Sequence, residues 1–100
     1  MKKITLTEKN LLKYFKIKSL KELTEDMFAL LIINEVVVGR KRNIFIIREV
    51  EILFNEHDKS NGTLCSGIKF YGTANYIVYH FNDKVEDKIS GKVTLFWKEK

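Results

Sequence analysis

Apolar residues near the N-terminus recur at the spacing of an amphipathic helix, with polar residues between them. Ile4 and Leu6 first alternate with polar neighbours, which predicts a short strand, and Thr7 then stands where a cap would begin a helix over 8–15. One side of this helix is apolar and the opposite side carries lysines: Leu11, Leu12 and Phe15 against Lys9, Lys13 and Lys16. The pattern therefore predicts a helix that packs by its apolar side and presents a lysine face.

A capping box predicts a second helix. The Ser19 hydroxyl can accept a hydrogen bond from the first turn, and the Glu22 carboxylate can reach back to the Ser19 amide. The end of this helix is ambiguous, because helical spacing gives way gradually to β-branched residues that favour a strand. We predict a helix over 20–33 and a short strand over 36–38.

From residue 44 onward the hydrophobic period becomes two, which is the period of strands. Both sides of 44–47 are apolar, so we expect that end of the first strand to be buried on both sides. Gly67 is expected to mark a β-bulge. Short connections between consecutive strands favour antiparallel pairing. The predicted strands cover 44–54, 63–71, 74–82 and 92–98.

Together these elements predict a single α+β domain over residues 1–100. Two N-terminal helices precede a mostly antiparallel sheet of about four to six strands, and a small closed barrel is an alternative arrangement of the same strands. Val93, Leu95 and Trp97 share one face of the last predicted strand, so we expect Trp97 to lie in the core.

Composition points to an anionic partner, with one reservation. The net charge is +5, and a basic surface attracts phosphates. However, the cations are mostly lysine, with arginine only at positions 40, 42 and 48, and proline is absent. An AT-rich coding sequence would produce that bias without selection for nucleic acid, and arginine is the residue better suited to bidentate phosphate contacts.

Cysteine content and hydropathy predict a cytoplasmic protein. A single cysteine, Cys65, excludes an internal disulfide and a cysteine-based zinc cluster. The N-terminal segment lacks the apolar run of a signal peptide. The longest apolar run, 27–38, is interrupted by polar residues and is shorter than the ~20 residues that cross a bilayer. We therefore expect no membrane association.

The chain carries none of the common catalytic or nucleotide-binding motifs. His57 lies in a polar turn between acids, and His80 lies in a strand, where a catalytic role would need a carboxylate partner such as Glu49 or Glu51. Cys65, without visible partners, is expected to be a small buried hydrophobe. We assign no catalytic residue, no metal site and no cofactor.

The clearest polar cluster lies between the predicted strands at 36–38 and 44–54. It contains two of the chain's arginines and is predicted to form a basic hairpin loop: Arg40, Lys41 and Arg42. Such a loop can reach a phosphate backbone, although charged hairpin tips are also ordinary surface features. Strand tyrosines could add a stacking surface of the kind used by single-strand binders, although strand tyrosines are more often half-buried in the core: Tyr71, Tyr76 and Tyr79.

Three functional hypotheses follow. The first is a small non-catalytic protein that contacts nucleic acid, or a nucleic-acid-associated protein, through the basic hairpin loop and the lysine face. The second is a phage- or mobile-element-type inhibitor that binds a host enzyme, for example by strand-edge pairing. The third is a small nuclease-like toxin that uses His80 or His57. The apolar surface over 27–38 and 44–54 is also consistent with a homodimer.

Overall fold

A computed structural model describes residues 2–54, 65–81 and 92–97, and within them the chain forms two helices and two antiparallel sheets. The α+β prediction is confirmed, with most strands following the helices. The first strand, helices and hairpin are β1 (Lys2–Thr5), α1 (Glu8–Phe15), α2 (Ala29–Ile33), β2 (Val37–Arg40) and β3 (Asn43–Ile46). The remaining strands are β4 (Glu49–Phe54), β5 (Cys65–Tyr71), β6 (Tyr76–His80) and β7 (Val93–Trp97).

The strands form two separate sheets instead of one. Sheet 1 has the order β1-β7-β2-β3 and sheet 2 the order β4-β5-β6, with antiparallel pairing throughout. Neither sheet closes on itself, so the barrel alternative is wrong. The last described strand, β7, lies between β1 and β2, which are far apart in sequence.

Local capping signals place helix α1 within its predicted bounds. Thr7 Oγ1 accepts a hydrogen bond from the Asn10 amide at 3.0 Å. At the other end Lys16 adopts the left-handed conformation, with φ of 58°, and the Ile17 amide donates to the Leu12 carbonyl at 3.0 Å. This is a Schellman-type C-terminal cap, in which glycine usually occupies the left-handed position.

The second predicted helix is broken. The capping box is confirmed, because the Ser19 amide donates to Glu22 Oε2 at 3.1 Å, but it opens only a 3₁₀ turn over Leu20–Glu22. Leu23 is then extended (φ −68°, ψ 127°) and buried, and a second 3₁₀ turn, Glu25–Phe28, leads into α2. The extended residue carries the Leu23 side chain into the core, so tertiary packing overrides the continuous helix that local pattern favoured over 20–33.

The predicted strand over 44–54 passes from one sheet to the other. The Ile47 amide donates to the Val36 carbonyl at 2.9 Å and extends the pairing of sheet 1. The next amide, of Arg48, donates to the Tyr71 carbonyl at 2.7 Å and begins the pairing of sheet 2. Two successive residues therefore mark the crossing between β3 and β4.

A β-bulge lies where β4 and β5 pair, one residue from the predicted position. Leu53 is opposite Gly67 and Phe54 is opposite Cys65, so Ser66 is the extra residue. The Ser66 hydroxyl donates a hydrogen bond to the Leu53 carbonyl at 3.3 Å, which ties the extra residue to β4.

The core fills the space between the two sheets and the helical segment. Aromatic rings link the layers, with centroids 4.9 Å apart for Phe15 and Phe28 and 6.2 Å apart for Phe28 and Phe70. Trp97 is only partly buried; it packs at the margin of the core beside Tyr14, with ring centroids 5.4 Å apart. Among the described residues, no helix combines the length and apolarity needed to cross a membrane.

The other side of sheet 1 is not covered by the described residues. Val37 is opposite both Ile46 and Phe96, so these three side chains share a face, and none belongs to the core cluster. Ile44, on the same face, is 57 % exposed. The expectation that 44–47 is buried on both sides is wrong, because only one side of sheet 1 faces the core. We call this surface (Val37, Ile44, Ile46 and Phe96) the open face of sheet 1.

Candidate nucleic-acid interface

The basic hairpin is a two-residue turn between paired strands. Arg40 of β2 is opposite Asn43 of β3, which leaves Lys41 and Arg42 as the turn, both exposed. Lys41 has φ of 55°, as the first central residue of some tight hairpin turns does. The register therefore projects both turn cations beyond the end of the sheet.

Side chains at the base of this turn anchor it to sheet 2. Arg40 Nη2 donates to the Val78 carbonyl at 2.7 Å, and Asn43 Nδ2 donates to the Tyr76 carbonyl at 3.4 Å. Both acceptors belong to β6, an edge strand of sheet 2. Arg40 is half-buried and contacts the protein's own backbone, whereas the sequence pattern predicted a flexible loop. A contact of Arg40 with nucleic acid stays a prediction.

A pair of tyrosines lies beside this anchor on sheet 2. Tyr71 of β5 is opposite Tyr76 of β6, and the Lys69 ammonium lies 4.8 and 4.5 Å from their ring centroids. The Tyr71 hydroxyl donates to Glu51 Oε1 at 2.7 Å. The pKa of Lys69 is raised, first by a side-chain hydrogen bond with Tyr71 and then by electrostatic attraction to Tyr71, Tyr76 and Glu51.

The hairpin and the tyrosines together form one polar surface. Asn43 connects the turn to the backbone of Tyr76, whose side chain is 60 % exposed. We call this the hairpin–tyrosine surface; it consists of the exposed Lys41, Arg42 and Tyr76 and the half-buried Lys69 and Tyr71. It joins cations that attract phosphates to aromatic rings on which bases can stack.

The lysine face of α1 is not part of this surface. Lys9, Lys13 and Lys16 are all exposed. Helix α1 packs beside β1, at the opposite edge of sheet 1 from the hairpin. The strand order places β3, the second strand of the hairpin, about 14 Å across the sheet from β1. The two groups of cations therefore lie towards different edges of sheet 1, and their contacts with nucleic acid stay a prediction.

Other predicted functional residues are placed individually. Tyr79 lies on the core side of β6, in a T-shaped contact with Phe81 at 5.2 Å, so its assignment to the stacking surface is wrong. His80 is exposed on the opposite side, and Glu51 lies two strands away, about 10 Å across the sheet. That separation prevents a direct hydrogen bond between them.

Two further predictions concern residues that the structure does not describe. They are the predictions for His57 and for the side chain of Cys65. Within the part of the chain that is described, no three potential metal ligands are clustered.

The sequence interpretation missed Lys69 and Asn43. Lys69 was recognisable, because it alternates with Tyr71 in a predicted strand and must share its face. Asn43 gave no local signal, because its partner in β6 is distant in sequence.

Comparison with known proteins gives no further guidance, because no protein-family model, curated protein or solved structure matches the chain.

Proposed function

We propose that the protein is a non-catalytic nucleic-acid-binding protein that holds a single strand on the hairpin–tyrosine surface. The observation that carries the proposal is the pair of anchoring hydrogen bonds from Arg40 and Asn43 to β6, which bring the exposed turn cations next to the exposed Tyr76 ring. Single-strand binders combine cations along the backbone with aromatic rings for the bases.

The two parts of this surface have different tasks. Lys41 and Arg42 are both exposed, so they can reach phosphates, neutralise them and release condensed counterions. Tyr76 offers a ring for a base, and base–aromatic stacking contributes about 1–3 kcal/mol per base. Glu51, bound to the Tyr71 hydroxyl, places a carboxylate on the β4 side and makes a path along β6 the more favourable one for a phosphate backbone.

Fluorescence anisotropy with a labelled single-stranded oligonucleotide tests the proposal. Lys41→Glu combined with Arg42→Glu should abolish binding, and Tyr76→Leu should weaken it about tenfold or more without changing its salt dependence. Wild-type affinity should fall with salt with a log–log slope of roughly −0.7 per phosphate contacted.

The matched control reverses two cations elsewhere. Lys18 and Lys21 are exposed and lie outside the hairpin–tyrosine surface, so Lys18→Glu with Lys21→Glu gives the same net charge. If this control loses as much affinity as the turn variant, binding depends on overall charge and the proposed surface is wrong. Reversal of Lys9 and Lys16 in a third variant measures the contribution of the lysine face.

A second candidate, an inhibitor that binds a host enzyme, is favoured by the open face of sheet 1. Its apolar side chains, including the 57 % exposed Ile44, resemble the core of a protein interface. A partner recovered stoichiometrically from nuclease-treated lysate should then be lost with Ile44→Asp and retained with the Lys41/Arg42 reversal. The opposite pattern favours nucleic acid.

A further inference from the structure

A second cationic site lies between β1 and α1, at the edge of sheet 1 opposite the hairpin. A cavity of about 430 Å³ opens there, and among the described residues it is lined by Lys2, Lys3, Ile4, Asn10, Lys13 and Tyr14. We call it the lysine pocket. Three of these described lining residues are lysines and none is Asp or Glu, so the field at the pocket favours an anion.

The register of β1 places its two lysines on different faces of sheet 1. Lys2 lies opposite Trp97, which packs against Tyr14 of the pocket, whereas Lys3 lies opposite Phe96 of the open face. Lys2 is therefore the lysine of β1 whose side chain lies on the side of the pocket. Lys13 approaches from α1, which is held against β1 by a hydrogen bond from Asn10 Nδ2 to the Thr5 carbonyl at 2.7 Å.

One wall of the pocket is the ring of Tyr14, which is held in place by neighbouring aromatic rings. The Tyr14 ring packs edge-on against Phe15, with centroids 5.0 Å apart, and tilted against Trp97, at 5.4 Å. Ile4 adds a second apolar group. A ligand that fits this combination carries a negative charge at one end and a flat or apolar group at the other, and the volume lies within the usual range for small-molecule sites.

We propose that the lysine pocket binds a nucleoside monophosphate, with the phosphate between Lys2 and Lys13 and the base or sugar against Tyr14. Such a group can come from a free nucleotide or from the phosphorylated 5′ end of a strand. The lysines repel one another in the free protein, and a phosphate removes that repulsion. The pocket is separate from the hairpin–tyrosine surface, so an experiment can refute binding at one of them without refuting binding at the other.

Isothermal titration calorimetry with AMP, adenosine and inorganic phosphate tests the assignment at constant ionic strength. AMP should bind more tightly than inorganic phosphate, and adenosine should bind at least tenfold more weakly than AMP, because hydrogen bonds to charged groups are the stronger ones. Amide shifts in NMR spectra on AMP addition should centre on Lys3, Asn10 and Lys13. Absence of AMP binding, or equal affinity for adenosine, would refute phosphate recognition; equal affinity for inorganic phosphate would refute the nucleoside.

A pair of charge-matched variants makes the test specific. Lys2→Gln with Lys13→Gln should weaken AMP binding about tenfold or more, whereas Lys9→Gln with Lys18→Gln removes the same charge outside the pocket and should change affinity less than twofold. Equal losses in both pairs would overturn the proposal. Oligonucleotides with a 5′-phosphate or a 5′-hydroxyl then identify the source: a preference for the phosphate that disappears in the pocket variant assigns the strand end, and no preference assigns the free nucleotide.

Discussion

Gly67 is the position at which a single added methyl group should be most informative. It lies in β5 opposite His80 of β6, where the two backbones approach closely. A Cβ built there would overlap the Tyr79 carbonyl oxygen and lie 3.3 Å from the Tyr79 carbonyl carbon. These are backbone atoms of a paired strand, so relief requires β6 to shift and the ladder to distort.

Overpacking of this kind costs about 1–3 kcal/mol. Gly67→Ala should therefore lower the free energy of unfolding by about 2 kcal/mol, which for a chain of this size lowers Tm by roughly 8–16 °C. Urea denaturation, followed by the fluorescence of Trp97, measures the change as a lower midpoint at unchanged slope.

Gly39→Ala is the matched control. Its Cβ would lie 3.2 Å from Ile44 Cγ1 and 3.3 Å from Phe96 Cε2, both of them atoms of side chains on the open face of sheet 1. These side chains can move aside, and replacement of glycine restricts the unfolded chain, so we expect a change within about 0.5 kcal/mol. If Gly67→Ala unfolds at the midpoint of Gly39→Ala, β5 and β6 are not as close as described.

Three further predictions concern caps and charges. Lys16→Gly should stabilise the protein by about 0.5–1 kcal/mol, because Lys16 has φ of 58°, whereas Lys13→Gly inside α1 should cost about 1 kcal/mol. If the two substitutions shift Tm in the same direction in thermal melts, the left-handed cap at Lys16 is wrong. Ser19→Ala should cost about 0.5–1 kcal/mol through loss of the capping box, and an unchanged denaturation midpoint would count against it. Tyr71→Phe should lower the pKa of Lys69 in an NMR titration, because a hydrogen bond with Tyr71 is the main cause of its raised value. The raised pKa of Lys69 stabilises the folded protein at neutral pH, and this stabilisation is lost as pH rises through the folded-state pKa, above 10.5.

The elements that could be predicted from the sequence are those whose signal lies within a few neighbouring residues. Thr7 and the Ser19–Glu22 box reported their caps because both partners of each hydrogen bond are neighbours in sequence. The crossing at Ile47 and Arg48 was not predictable, because alternation continues through it and only the distant partners Val36 and Tyr71 distinguish the two sheets.

Some features of the candidate site could likewise be predicted from the sequence, and others could not. Exposure of Lys41 and Arg42 followed from their place in a hairpin, but the anchoring of Arg40 on Val78 depends on how two sheets meet. Tyr79 was misassigned because both sides of β6 carry apolar or aromatic residues, so the pattern left open which side faces the core. The face of β6 is decided by burial of Ile77, a property of the assembled domain.

The central position of β7 has a consequence for biosynthesis. Sheet 2 is a meander of strands that follow one another, so it can pair as soon as β6 has left the ribosome. Sheet 1 cannot, because β1 and β2 each pair with β7, which is translated after all the other described strands. Until β7 emerges, β1 and β2 therefore expose the strand edges that later pair with it, and the slow non-local closure of sheet 1 follows the pairing of sheet 2. A chaperone that shields strand edges would act on this protein before β7 is made, and not after.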